Sequence, residues 1–184
     1  MDIHKPKIFL HACCAPCLTY PYKVLSSYYE VTVFFYNPNI HPMREYNRRL
    51  SSVKKIADNW NFELIVASYD KERWFEAVRD LEQCKEGGKR CVKCYRFRLQ
   101  KTAETAKQRG LDLFATTLTV SPLKKAEVIN RLGFTIQKEM KINYLESNFK
   151  KKDGFKKSCQ FSKQEGLYRQ NYCGCIYSKR DSTV

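Results

Sequence analysis

Runs of β-branched and aromatic residues alternate along this chain with segments whose apolar residues return every three or four positions. That alternation restricts the fold more than any other feature. Lys7 to His11 (KIFLH), Glu30 to Tyr36 (EVTVFFY), Phe62 to Ala67 (FELIVA) and Leu113 to Thr119 (LFATTLT) read as strands, with a short fifth at Ile142 to Leu145. Between them, Leu18, Tyr22, Leu25 and Tyr29 keep helical spacing, as do Tyr46, Leu50, Val53, Ala57 and Trp60. A third helix carries Trp74, Ala77, Val78 and Leu81, and a fourth carries Val92, Tyr95, Leu99, Ala103 and Ala106, with Gly110 placed to stop it. Ser121-Pro122 is expected to open a fifth helix and Gly133 to end it. Strands alternating with helices predict βαβ units: an α/β fold with a parallel, Rossmann-like sheet flanked by helices. No repeat or linker interrupts the pattern, so one domain is expected over 1–184, its basic, turn-rich stretch from 150 included.

In an open parallel sheet, ligands bind beyond the carboxyl ends of the strands. The chemically distinctive residues collect there. The first strand empties into His11-Ala12-Cys13-Cys14-Ala15-Pro16-Cys17 and the second into Asn37-Pro38-Asn39. The third leads to Tyr69-Asp70, and the fourth to Thr117, Thr119 and Ser121. Asn37, Asn39, Thr117 and Ser121 are therefore expected to contact substrate.

Nine cysteines, an odd number, argue against a fully paired disulfide framework. No apolar stretch approaches a membrane span, and Lys5 and Lys7 break the opening segment, so a soluble, cytoplasmic protein with free thiols is expected. Cys13, Cys14 and Cys17 form C-C-x-x-C, Cys91 and Cys94 form C-x-x-C at a helix start, and Cys173 and Cys175 flank Gly174. Thiolates so spaced suit zinc or an iron–sulfur cluster. Seven exceed the four that one zinc or one cluster needs, which points to a cluster beside a second metal or beside a redox-active thiol pair. Cys84 and Cys159 stand alone and read as buried apolar cysteines.

Asp70 is either a helix cap or a ligand or proton-transfer group, and His11 either supports the site or simply closes a strand. Lys and Arg outnumber Asp and Glu by 34 to 19, leaving +15, a field that attracts nucleic acid. Lys150-Lys151-Lys152 and Lys156-Lys157 add local charge, and Tyr168, Arg169 and Gln170, in the run Tyr168 to Tyr172, offer groups that stack on and hydrogen-bond to extruded bases.

Assembled, these segments resemble the QueH family of cobalamin-independent epoxyqueuosine reductases: HACCAPC at 11–17, YNPNIHP at 36–42, GGKRCVKCYRFRL at 87–99, TTLTVSPLK at 116–124 and LYRQNYCGCIYS at 167–178. The resemblance spans nearly the whole chain, with one departure: Asn148-Phe149 stands where Asp-Phe is expected. It implies a fold similar to the adenine-nucleotide α-hydrolase-like group and a 4Fe–4S cluster with an adjacent metal ion, iron or alternatively zinc. It also implies a reaction that completes queuosine in the wobble position of a tRNA anticodon, with electrons from an external donor. The matching ligands are Cys13, Cys14, Cys17, Cys91, Cys94, Cys173 and Cys175, with Asp70 as an oxygen ligand. Cys91 and Cys94 are assigned to the cluster and a member of the first trio to the second metal, while Cys173 and Cys175 either ligate metal or cycle as a disulfide.

Converting an epoxide to an alkene takes two electrons and two protons and releases water. A metal with an open position assists as a Lewis acid, and Asp70, His11 or a tyrosine can supply protons. A cluster-dependent tRNA sulfurtransferase of the same fold is the nearest rival, but adenylation calls for a glycine-rich phosphate loop, and His11 to Cys17 contains no glycine. A zinc-stabilised RNA-binding module is the non-enzymatic rival.

Overall fold

A computed structural model describes residues 5–181. Its sheet contains five parallel strands: β1 (Lys7–His11), β2 (Glu30–Phe35), β3 (Leu64–Val66), β4 (Leu113–Thr116) and β5 (Asn143–Tyr144). Their order is β3-β2-β1-β4-β5, so β1 is central and the chain reverses its winding direction on either side of it. The helices are α1 (Ala15–Ser26), α2 (Met43–Trp60), α3 (Lys71–Ala77), α4 (Lys89–Gln108), α5 (Ala126–Met140), α6 (Gly154–Gln164) and α7 (Ile176–Asp181).

Period-two alternation divides the strands between two cores. Ile8, Leu10, Val31, Val33 and Phe35 face one side with Leu18 and Leu25 of α1 and Val53 and Ile56 of α2. Phe9, Phe34 and Phe114 face the other with Leu99 and Ala103 of α4 and Ile129 and Ile136 of α5. Both faces of β1 are buried, as a central parallel strand requires.

Three expectations shift. β4 ends at Thr116, where a single 3₁₀ turn, Thr117–Val120, begins with the Thr116 hydroxyl accepting from the Leu118 N–H. Ser121, ahead of a proline and so disfavoured from helix, is extended, and α5 starts at Ala126 rather than at Pro122. Gly133 does not end α5 but lies within it: a Cβ there would sit 2.4 Å from the Tyr144 ring. The glycine lets β5 and α5 pack together, and α5 instead stops at Lys141, whose φ is 53°. Gly110 does follow α4, with φ of 70°.

Candidate metal and substrate site

β1 delivers the chain to the carboxyl edge, and α1 begins within one turn. Cys14 occupies the extended position before α1 and Pro16 its first turn, where the missing N–H is harmless. The tight strand-to-helix passage folds three sulfurs together: the Sγ atoms of Cys13, Cys14 and Cys17 all lie within 4.8 Å of one another. Cys13 and Cys14 sulfurs are 3.8 Å apart. The Thr117 hydroxyl donates to Cys13 Sγ at 3.5 Å and accepts from the Cys13 N–H at 3.2 Å, and Gln170 Nε2 donates to Cys14 Sγ at 2.9 Å. Hydrogen bonds from Cys14 and Cys17, aided by Lys124 and Arg98, hold the Cys13 thiol well below its ordinary range despite burial. The hydrogen bond to Cys13, with burial, in turn pushes Cys14 up to about 12, and hydrogen bonds to Cys13 and Cys14, with burial, raise Cys17. Three such thiols do not all ionise without a cation among them.

This trio floors a cavity of about 370 Å³, walled by Asn39, Arg49, Arg98, Ser121, Lys124, Phe155, Arg169, Gln170 and Cys173, among others. Lys124 keeps its charge, because Cys173, Tyr95, Cys13 and Cys17 outweigh the opposing effect of burial. Asn39 is buried with its Oδ1 unpartnered, as is the Gln170 Oε1.

A second set of cysteines comes from α4 and the C-terminal loop. Cys91 and Cys94 are buried on the first turns of α4, and the Gly87 N–H donates to Cys91 Sγ at 3.2 Å. Cys175 shares an apolar cluster with Cys94 and Trp74, and its sulfur accepts from the Ser178 N–H at 3.3 Å. Burial pushes Cys91 up to about 11 and also raises Cys94, and Cys173 adds to both effects. Cys173 thus belongs to this set and to the wall of the trio's cavity. Among the described residues only the trio brings three ligand atoms as close as 4.8 Å, and all nine cysteines are free. Cys84 and Cys159, expected to be buried, are only partly so, and Cys159 reaches the cavity wall.

The remaining expected residues separate. His11 is fully buried, its ring joining β1 to β4 and to the end of β2 through Thr116 Oγ1 (2.9 Å) and the Tyr36 carbonyl (3.2 Å). Burial, reinforced by Arg98, lowers it to about 3, so the imidazole is neutral. Asp70 precedes α3 but its carboxylate caps nothing; it accepts from the Tyr36 hydroxyl at 3.2 Å. Asn37 is fully engaged, donating to the Ala12 carbonyl at 2.9 Å and accepting from Arg98 at 2.6 Å. Tyr168 turns to Glu45 at 3.0 Å with Arg48 over its ring, whereas Arg169 and Gln170 reach the cavity.

A family model described as "Epoxyqueuosine reductase QueH" matches residues 8–181. The chain belongs to the QueH family. Relatives named epoxyqueuosine reductase QueH include that of Streptococcus pyogenes, 40% identical over 96% of this chain and 71% of its own length. That of Thermotoga maritima is 38% identical over 93% and 89% respectively. Among solved structures, the U34-tRNA thiolase NcsA of Methanococcus maripaludis, determined with its 4Fe–4S cluster, superposes with a TM-score of 0.60 at 12% identity. This QueH-family chain is covered over 98% of its residues but spans only 65% of the thiolase, and the likeness is one of fold.

Arg98, Lys124 and Arg49 had no place in the sequence expectations for the site. Arg98 carried a usable signal, four residues after Cys94 and so on the same helix face. Lys124 ends the TTLTVSPLK segment that follows the fourth strand.

Proposed function

We propose that this QueH-family protein reduces epoxyqueuosine to queuosine in the wobble position of a tRNA anticodon. The observation that carries the reading is a cavity floored by three convergent thiols in a chain whose relatives bear that activity's name. The donor set fits an iron–sulfur cluster: soft thiolates in mutual contact, with cationic Lys124 and Arg98 on the cavity wall to offset their charge. The closeness of Cys13, Cys14 and Cys17 supports giving the cluster to this trio, rather than to Cys91 and Cys94 as assigned alongside the family resemblance. Cys91, Cys94, Cys173 and Cys175 are left for the second metal, iron or zinc, with Asp70 as an oxygen donor. When bound, the cluster supplies low-potential electrons from an external donor.

The chain's own groups have separate tasks. Arg169, Gln170, Asn39 and Ser121 line the cavity where the modified base enters. Lys124 presents a retained positive charge toward the oxygen that becomes anionic as the C–O bond breaks. His11 holds the strand ends in register behind Cys13. Protons come from the Tyr36 hydroxyl, hydrogen-bonded to Asp70, or from solvent. Action on tRNA supports a cytoplasmic location. No helix of the described residues is long and apolar enough to cross a membrane. An adenylating thiolase activity is disfavoured because the loop after β1 holds Cys13-Cys14-Ala15-Pro16-Cys17 instead of a glycine-rich phosphate cradle.

Anaerobically purified protein should contain iron and sulfide, absorb broadly near 400 nm and convert epoxyqueuosine in tRNA with a low-potential reductant. Cys13→Ala, Cys14→Ala and Cys17→Ala should each lose conversion by at least about 100-fold while retaining tRNA affinity. A colourless, zinc-only protein would overturn the reductase reading in favour of an RNA-binding module.

A further inference from the structure

Arg98 carries a charge that the surrounding protein does not balance. It lies one turn beyond Cys94 on α4, is 2% exposed, and lines the cavity with Cys13, Cys14, Cys17 and Cys173. Nη2 donates to Asn37 Oδ1 at 2.6 Å, and Asn37 Nδ2 donates to the carbonyl of Ala12, the residue before Cys13. Nε is buried without a partner. Among the described residues no carboxylate pairs with Arg98, including Glu86 on the cavity wall. Arg49 makes the contrast: it is equally buried, but Glu45 holds its Nε at 2.7 Å.

A buried guanidinium without a counter-charge costs several kcal/mol, so an anion must offset it. The groups that can become anionic around it are thiols of both sets. Arg98 borders the first set through the cavity it shares with Cys13, Cys14 and Cys17, and the second through Cys94, one turn back on α4. Reduction makes a thiolate-bound metal centre more negative, and net charge and hydrogen bonding around the sulfurs set the potential.

Building on the iron–sulfur reading above, we propose that Arg98 is a positioning residue whose permanent charge serves both thiol sets at once and favours the reduced state of the metal centre. Asn37 fixes it there by tying α4 to the loop that carries the trio.

The test is an anaerobic spectroelectrochemical titration of the holoprotein, with iron and sulfide measured on each sample. Arg98→Gln should lower the midpoint by at least a tenfold change in the reduction equilibrium, about 59 mV for one electron. Arg98→Lys, which keeps the charge and loses the fork, should remain within threefold of wild type. Asn37→Asp sets a carboxylate of the same shape against the guanidinium and should reproduce the Arg98→Gln shift without removing the arginine, which decides the matter if Arg98→Gln does not fold. Intact clusters with unshifted midpoints in Arg98→Gln or Asn37→Asp would overturn the proposal, as would equal shifts, or equal loss of iron, in Arg98→Lys and Arg98→Gln. A wild-type protein without iron would overturn the cluster reading itself, a separate and visible failure.

Discussion

Single side chains in this protein are tuned mainly by burial, and His41 shows the consequence for stability. Both its ring nitrogens are buried without partners, and the ring lies 4.7 Å from Phe75 and 5.1 Å from Trp74. Burial, with help from Lys71, lowers its pKa to about 4 from 6.5. Between those values the unfolded chain binds more protons than the native one. Stability from this group is therefore complete above pH 6.5 and is lost as pH falls toward 4. By pH 4.5 the loss is on the order of 2 kcal/mol. His41→Phe should keep the ring packing and shrink the stability difference between pH 7 and pH 4.5 by that amount, measured by urea unfolding. Equal losses in both proteins would dismiss the effect. The convergence of Cys13, Cys14 and Cys17 was legible because C-C-x-x-C at the end of a strand leaves three sulfurs little room to separate. Arg98, whose spacing from Cys94 was the one signal, and Lys124 were harder to single out, since a lone basic residue in a chain of net charge +15 looks like solvated surface until its burial is known.

At the scale of elements, the strands could be read because period-two alternation records two buried faces, and it did so for β1 and β2 nearly to the residue. It misplaced the end of β4 and the start of α5, because the 3₁₀ turn from Thr117 and the bend at Pro122 are held by hydrogen bonds that leave no periodic trace. The C-terminal loop was the least readable part, for its position is set by a distant helix. Arg49 on α2 donates to the Cys173 carbonyl at 2.9 Å and the Tyr172 carbonyl at 3.1 Å, while Glu45 fixes its orientation. Gly174 passes this guanidinium with φ of 129°, and a Cβ would stand 3.0 Å from its Nη1, so conformation and space both call for glycine. Arg49→Met should leave Glu45 buried without its counter-charge, held only by the Tyr168 hydroxyl, and release the loop. The expected cost is about 3 kcal/mol, with amide hydrogen exchange accelerated first across 172–175. Unchanged protection in that loop would mean that Cys173 and Cys175 are positioned by something else.

Over the whole molecule, charge and exposed apolar surface meet at the mouth of the cavity. Leu123 is 75% exposed and Phe155 38%, and both border the opening above the thiols. Lys151, Lys152 and Lys156 are exposed beside Phe155 at the start of α6. An anticodon loop offers phosphates for such lysines and unstacked bases for such apolar side chains, so the two kinds of group should separate experimentally. Replacing Lys151, Lys152 and Lys156 together with Ala should weaken tRNA binding at low salt. It should also flatten the plot of log affinity against log salt by about 2, at roughly 0.7 per contact with a single-stranded loop. Turnover at saturating tRNA should not change. Phe155→Ala should instead leave the salt slope alone and raise KM by about tenfold, the loss expected when one base no longer stacks. Parallel salt plots for the lysine variant would place the phosphate contacts elsewhere on this basic surface. An unchanged KM for Phe155→Ala would mean that no base rests at the mouth, and that the substrate approaches from the side of Arg169 and Gln170.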